Sequence, residues 1–352
     1  MKKTCLIILI IITTFQLYGE KVAVLTDVLK PDQLVASGDR IYIMEGTAIF
    51  IYSLKDFTMI KKFGKQGEGP GEIAKVPFVS NAFAAFGNDK LLVDAINKIV
   101  IFSRDGEFVK EVRKKGQVTN VLAVGNGFVA TRIKPPGDDK KAYAAVTLMD
   151  AELNVIKELY AQPTPQQGRN LQMIPDTLYS TVYEDKIFIE ESQKGFIIEV
   201  FDNKGNALYK IRKEVPPLKV TAKGKEIALQ ELQEDPLAQF QIKRAGGWDE
   251  FKKLLDFNYP DLYPPIRDML VKNGKIYVRT HETQNGKEKY RIFDLKGKEL
   301  KTVFLPKPML APLITRIISR PVRFFDISND RFYYLVENED EEEWELHSVP
   351  VR

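Results

Sequence analysis

Apolar and polar residues alternate along most of the chain with the period of half-buried strands, and the alternation returns as one recurring phrase. A polar or Gly turn and a basic residue lead each apolar run: Asp39-Arg40-Ile41-Tyr42-Ile43, Asp89-Lys90-Leu91-Leu92-Val93, Asp185-Lys186-Ile187-Phe188-Ile189, Gly274-Lys275-Ile276-Tyr277-Val278 and Asp330-Arg331-Phe332-Tyr333-Tyr334. Gly127-Phe128-Val129 is a shorter sixth occurrence. A second apolar run, a turn of Asp, Asn, Lys and Gly, and a third run follow, most clearly at Ile99 to Phe102, Ser103 to Glu107 and Phe108 to Val112. The same hairpin recurs from Ile197 to Ile211 and from Tyr290 to Phe304, with Gly placed to supply the positive φ of a tight turn. Another apolar stretch lies ahead of each phrase, as at Phe78 to Phe86 and Val322 to Ile327, so the unit has four strands.

Six such units cannot bury both sheet faces alone, and radial stacking is the way to do so without long open edges. The pattern predicts an all-β fold, a six-bladed β-propeller over residues 20–352 with four-stranded blades. The last unit supplies only three strands, and Val22-Ala23-Val24-Leu25 is left over at the other end. That segment is expected to close the last blade as its outer strand. The rival reading is a sandwich with a separate helical domain.

Two stretches depart from the repeat. Asp185 and Gly274 lie 89 residues apart, against 50 for Asp39 and Asp89, which marks a helical insertion at 218–262 between blades four and five. Periodicity turns helical from Lys223 to Glu234, Asp235-Pro236 reads as an N-cap with proline at the first helical position, and Trp248, Phe251, Leu254 and Leu255 form an amphipathic stripe. The insertion belongs on the face where inner strands begin, as a lid or docking surface with Trp248, Phe251 and Leu255 as its partner-binding residues; the alternative is that the stripe packs on the side of the barrel. Pro306 to Pro321, with Leu310, Leu313, Ile314, Ile317 and Ile318, is a second candidate for that face. At the start of the chain, Lys2 and Lys3, the apolar run Cys5 to Ile12 and a mixed stretch to Gly19 have the layout of a secretory signal at 1–19, too short for a span. An uncleaved anchor is the alternative; Cys5 stands at the wrong end of the run for a lipid anchor. The expected location is secreted or periplasmic.

Phe63-Gly64-Lys65-Gln66-Gly67-Glu68-Gly69-Pro70-Gly71-Glu72, then Pro77, Asn88 to Asp94, Asn97 to Phe102 and Asp105-Gly106-Glu107-Phe108, together resemble an NHL repeat. The other units keep only the hydrophobic skeleton. The chain is similar to exported bacterial six-bladed propellers of poorly known function, and the resemblance implies a ligand- or protein-binding platform without transferring an activity.

Composition narrows the chemistry. Of 352 residues 44% are hydrophobic and 28% charged, and 52 basic against 48 acidic residues give +4, too little field to make nucleic acid the partner. One Cys and two His are few metal ligands; His281-Glu282 lacks the second His of a zinc-protease motif, and no Gly-x-Ser-x-Gly occurs. Gly67, Gly69 and Gly71 lack the strand-before, helix-after context of a phosphate loop and read as a tight inter-blade loop. The acidic run from Glu337 to Glu345 reads as a solvated hairpin tip. No cofactor, metal or catalytic residue is expected.

Residues ending the second strands point toward the channel mouth, and Glu45, Asp94, Arg132, Glu191 and Arg279 make that ring mixed in sign. Such a mouth suits a polar or zwitterionic ligand or a peptide. The functional expectation is a non-catalytic ligand- or protein-binding scaffold in the envelope or outside the cell, acting as a monomer on a protein, peptide or glycan; the alternative is a metal-dependent propeller enzyme such as a lactonase or lyase.

Overall fold

The phrase folds as the period of its side chains requires. In the computed structural model, which describes residues 19–75, 81–87, 89–138, 141–164, 169–309 and 322–352, six four-stranded antiparallel sheets follow one another along the chain. From inner to outer strand, blade one is Gln33–Ser37, Arg40–Glu45, Ala48–Ser53 and Met59–Phe63, and blade two is Ala82–Phe86, Lys90–Asp94, Lys98–Ser103 and Phe108–Arg113. Blade three is Val118–Val124, Gly127–Lys134, Tyr143–Met149 and Val155–Pro163, and blade four is Ser180–Tyr183, Lys186–Glu190, Phe196–Phe201 and Ala207–Lys213. Blade five is Asp268–Lys272, Lys275–Gln284, Lys287–Asp294 and Glu299–Pro306; blade six is Phe325–Ser328, Arg331–Asn338 and Glu343–Pro350. Its fourth, outer strand is Glu20–Val24 from the other end of the chain, as the leftover apolar run predicts.

Alternation sends successive side chains to opposite blade faces, and each face meets a neighbour. Ile41 and Ile43 join Trp344 and Leu346 between blades six and one, whereas Tyr42 and Met44 join Leu91 and Val93 between one and two. Ile99 and Ile101 meet Phe128, Val129 and Val146 meet Ile187 and Ile189, Phe188 and Ile198 meet Ile276 and Val278, and Tyr277 and Tyr290 meet Phe332 and Tyr334. Six apolar junctions therefore close the ring. Each large side chain fully buried there contributes about 1.5–3 kcal/mol.

The hairpins between third and outer strands share a turn that letters alone hide. Ser103, Asp150, Asp202 and Asp294 each accept the backbone N–H two and four residues on. The residue before the outer strand's lead-in is left-handed: Gly106, Gly205 and Gly297, but Leu153 in blade three. Gly106 is fixed twice over, since its φ is +80° and a Cβ there would sit 2.5 Å from the Phe63 ring of blade one.

The Gly-rich loop is a latch between blades one and two. Its amides turn inward, Gly69 N–H to Glu72 at 3.0 Å and Gly71 N–H to Glu111 at 3.0 Å, while the buried Lys98 ammonium donates to the Gly69 carbonyl at 2.6 Å and Glu111 at 2.8 Å. Closure at blade six is polar as well as apolar. Gly19 donates its N–H to the Tyr334 hydroxyl, Lys21 pairs with Glu345 at 3.0 Å, and His347 lies between the Gly19 carbonyl and Glu345.

The insertion forms three helices, α1 (Ala222–Glu234), α2 (Pro236–Ala245) and α3 (Trp248–Lys253). Asp235 accepts the Leu237 and Ala238 N–H groups at 3.0 Å each, and Gly246 ends α2 in the left-handed conformation. Among the described residues no helix is long and apolar enough to cross a membrane. Residues 1–18 and 310–321, with most of the expected signal and the Leu310 to Ile318 stripe, lie outside the described residues.

Candidate functional site

Second strands end and inner strands begin on one face of the ring: Gln33 is paired with Met44, Ala82 with Asp94 and Asp268 with Arg279. The insertion stands over this face at blades four to six. Two legs carry it, bridged antiparallel at Lys219 and Leu262, with Val220 N–H donating to Asp261 and Tyr263 N–H to Leu218. Prolines stiffen both legs, Pro216-Pro217 on one and Pro264-Pro265 on the other.

The roof has a second contributor that the repeat pattern does not reveal. Asn170–Gln172, from the connection between blades three and four, pairs in parallel with Asp256–Asn258 of the insertion. Met173 and Ile174 then join Ala228, Leu232, Ala238 and Phe251 in a small core. Trp248 stacks on Phe257 with ring centres 6.1 Å apart, and Leu255 packs on the same cluster. The Trp248, Phe251 and Leu255 stripe thus builds the roof's own core, while Ile227, Phe240 and Leu254 are its exposed apolar side chains.

Two cavities flank the legs. One, of about 550 Å³, lies between the start of α1 and the mouth of blades five and six; the other, of about 950 Å³, lies over blades four and five and is walled by prolines of both legs. Tyr263 and His281, stacked with ring centres 4.5 Å apart, line both.

The floor of the smaller cavity is a buried network of charge. Arg323 of blade six grips Asp268 of blade five by two contacts, at 2.8 Å and 2.5 Å. Glu288, with no exposed surface, accepts from Arg279 at 2.5 Å and Arg267 at 2.8 Å. Burial pushes the Glu288 carboxyl up, and the two guanidinium groups outweigh that and hold it below its usual range. Arg279 also lies over the Phe325 ring, and its Nη2 group is buried with no acceptor. Nearby, Glu190 uses one carboxylate oxygen to accept the Tyr179 N–H at 3.0 Å and leaves the other buried without a partner. Burial, then the Asp176 charge, push its carboxyl well above the usual value.

Of the five mouth residues expected from the strand ends, the structure brings Arg279 to this cavity. The others are spread around the ring. Asp94 is buried against Lys114 and accepts the Val121 N–H at 3.4 Å, pinning blade two to blade three. Glu191 is buried and held by Lys194 at 3.0 Å and Lys210 at 3.2 Å. Glu45 accepts the Lys30 N–H at 2.8 Å, fixing the loop ahead of blade one, and Arg132 is half-buried with no ion pair among the described residues. Sequence reasoning missed Asp268, Glu288, Arg267 and Arg323. Register was the available signal, since an inner strand begins opposite the end of its second strand and so places Asp268 beside Arg279.

Among the described residues no group of three His, Cys, Asp or Glu side chains is placed to hold a metal ion. The turn at Glu339 to Glu342, within the acidic run, is exposed or nearly so.

No family model and no curated protein matches the chain. Among solved structures it is similar to BamB from Moraxella catarrhalis at 12% identity, over 90% of this chain and 71% of that one, with a TM-score of 0.30. It is similar to the Pan2 WD40 domain of Neurospora crassa at 11% identity, over 92% and 76%, with a TM-score of 0.38. A Bacteroides caccae protein of unknown function gives 8% identity, over 92% and 91%, and a TM-score of 0.38. Likenesses this distant carry no argument about what the chain binds.

Proposed function

We propose that this protein is a non-catalytic binding propeller, exported to the cell envelope or beyond by residues 1–19, that holds a protein, peptide or glycan partner under and against its helical roof. The observation that carries this reading is the pair of cavities between the roof and the mouth of blades four to six, one floored by the Arg323–Asp268 and Arg279–Glu288 network. Ion pairs buried this deeply cost desolvation, and they set fixed charges at the mouth of a largely apolar ring. Mixed charge in a concave site favours a polar partner of defined shape over a polyanion. The NHL-like blade two serves the scaffold, since its Gly-rich loop is consumed in latching blade to blade.

The test is affinity capture from an envelope fraction by the full chain, followed by hydrogen exchange with and without the captured partner. Protection is expected on residues 216–267 and on the loops at the mouth of blades four to six. Protection confined to the outer strands of blades one to three would overturn the reading.

A further inference from the structure

The smaller cavity has a surplus of positive charge, and its source can be followed residue by residue. Three of its four lining carboxylates are already neutralised: Asp268 by Arg323, Glu288 by Arg279 and Arg267, and Glu282 by Lys289 at 3.0 Å. The fourth, Glu231, lies about 13 Å along α1 from the helix start, at 1.5 Å per residue. Three lining lysines, Lys219, Lys223 and Lys307, have no carboxylate within ion-pair distance among the described residues.

Helix α1 opens on the same space. Thr221, Lys223 and Gly224 line the cavity, and the Thr221 hydroxyl accepts the Gly224 N–H at 3.1 Å. The other first-turn amides of a helix have no acceptor within it, and the helix dipole adds partial positive charge there. Independently, the Arg279 guanidinium lining the floor is buried and keeps one amino group without an acceptor. A guanidinium stays charged under all ordinary conditions, so Arg279 fixes a positive charge beneath the floor.

We infer that this cavity is an anion site: it takes a carboxylate or phosphoryl group, carried by a small molecule or by the end of a larger partner, between the start of α1 and the Arg279 floor. Lys223 and Lys307 supply the charge at the rim, and Arg279 a fixed positive charge below. The inference rests on reading the roofed cavities as the binding site and names the chemistry that one of them selects.

The experiment is calorimetric titration of the full chain with inorganic phosphate and, separately, with citrate. Saturable binding of either supports the site, and the tighter of the two tells a phosphoryl group from carboxylates. Lys223→Glu and Lys307→Glu change exposed residues, and each is expected to weaken binding by about tenfold, the worth of one charge-assisted contact. Lys110→Glu, exposed on the outer strand of blade two, is expected to leave it unchanged. No saturable binding of either anion, equal weakening by Lys110→Glu, or no weakening by either rim variant would overturn the inference. An anion failure with the exchange footprint still on the roof removes the anion site and leaves the binding propeller standing; a footprint elsewhere removes both.

Discussion

Blades one to three and blades four to six are built from the same phrase, yet they treat polar groups at the mouth differently. On the first side they are used to join neighbours: Gln33 exchanges two hydrogen bonds with the backbone of Phe83, at 2.8 Å and 2.9 Å, and Asp94 is paired with Lys114. On the second side Arg323 joins Asp268 across blades five and six as well, but the buried unpartnered atoms of Arg279 and Glu190 lie on the side that carries the added roof, whereas those of Asn120 and Thr131 belong to blade three. The connections differ in the same sense. Four residues separate blades two and three, 114–117, whereas 214–267 separate blades four and five. A repeat that closes a ring is free to lengthen any one connection, because closure depends on strand faces and not on loops.

The comparison can be broken where its effects are largest. Glu288→Ala removes the buried carboxylate that Arg279 and Arg267 share and is expected to cost about 3–5 kcal/mol, and Asp94→Ala, which removes the buried carboxylate beside Lys114, should cost a similar amount. Urea unfolding of both variants measures this. If Glu288→Ala were neutral, the charged floor would not be the rigid element described.

A smaller effect separates roof from ring. The two tryptophans report on them independently, Trp248 in the roof core and Trp344 at the junction of blades six and one. Asp235→Ala removes an N-cap worth about 1 kcal/mol and is expected to lower the midpoint seen by Trp248 fluorescence while leaving that of Trp344 in place. Equal shifts at both would show that roof and ring unfold as one unit.

The smallest effect is in pH. Burial and Asp176 hold the folded Glu190 carboxyl above its unfolded value, so the folded state binds the proton more tightly. The stability this contributes is fully present below the unfolded value and is lost as pH rises through the folded one. Glu190→Gln should therefore flatten the fall in urea midpoint that sets in as pH rises above the ordinary carboxylate range. An unchanged slope would mean that Glu190 is not the group responsible.

Much of this architecture was legible because side-chain alternation is a direct record of which face meets which neighbour. The inner strands Val118–Val124 and Ser180–Tyr183, the closing strand near Val22 and the Asp235-Pro236 helix start all follow from local pattern. What stayed hidden depends on partners far along the chain. Asn170–Gln172 is too short to signal a strand and exists through its pairing with Asp256–Asn258. Leu153 takes the left-handed turn position that Gly holds in blades two, four and five, with φ of 61°, so blade three conceals its kinship. At the mouth, the letters Glu, Asp and Arg mark strand ends but not whether each charge is already paired. Lys114 settles that for Asp94 and the Glu288 pair settles it for Arg279.

Replacing residues 219–261 by a short Gly-Ser linker, and asking both whether the chain folds and whether it still captures the proposed partner, tests the central claim most directly. The account predicts a β-rich, cooperatively unfolding ring, because the two legs meet at Lys219 and Leu262 and the six apolar junctions lie below them, together with loss of capture. A folded ring that captures the partner as well as the full chain does, or a chain that no longer folds, would contradict it.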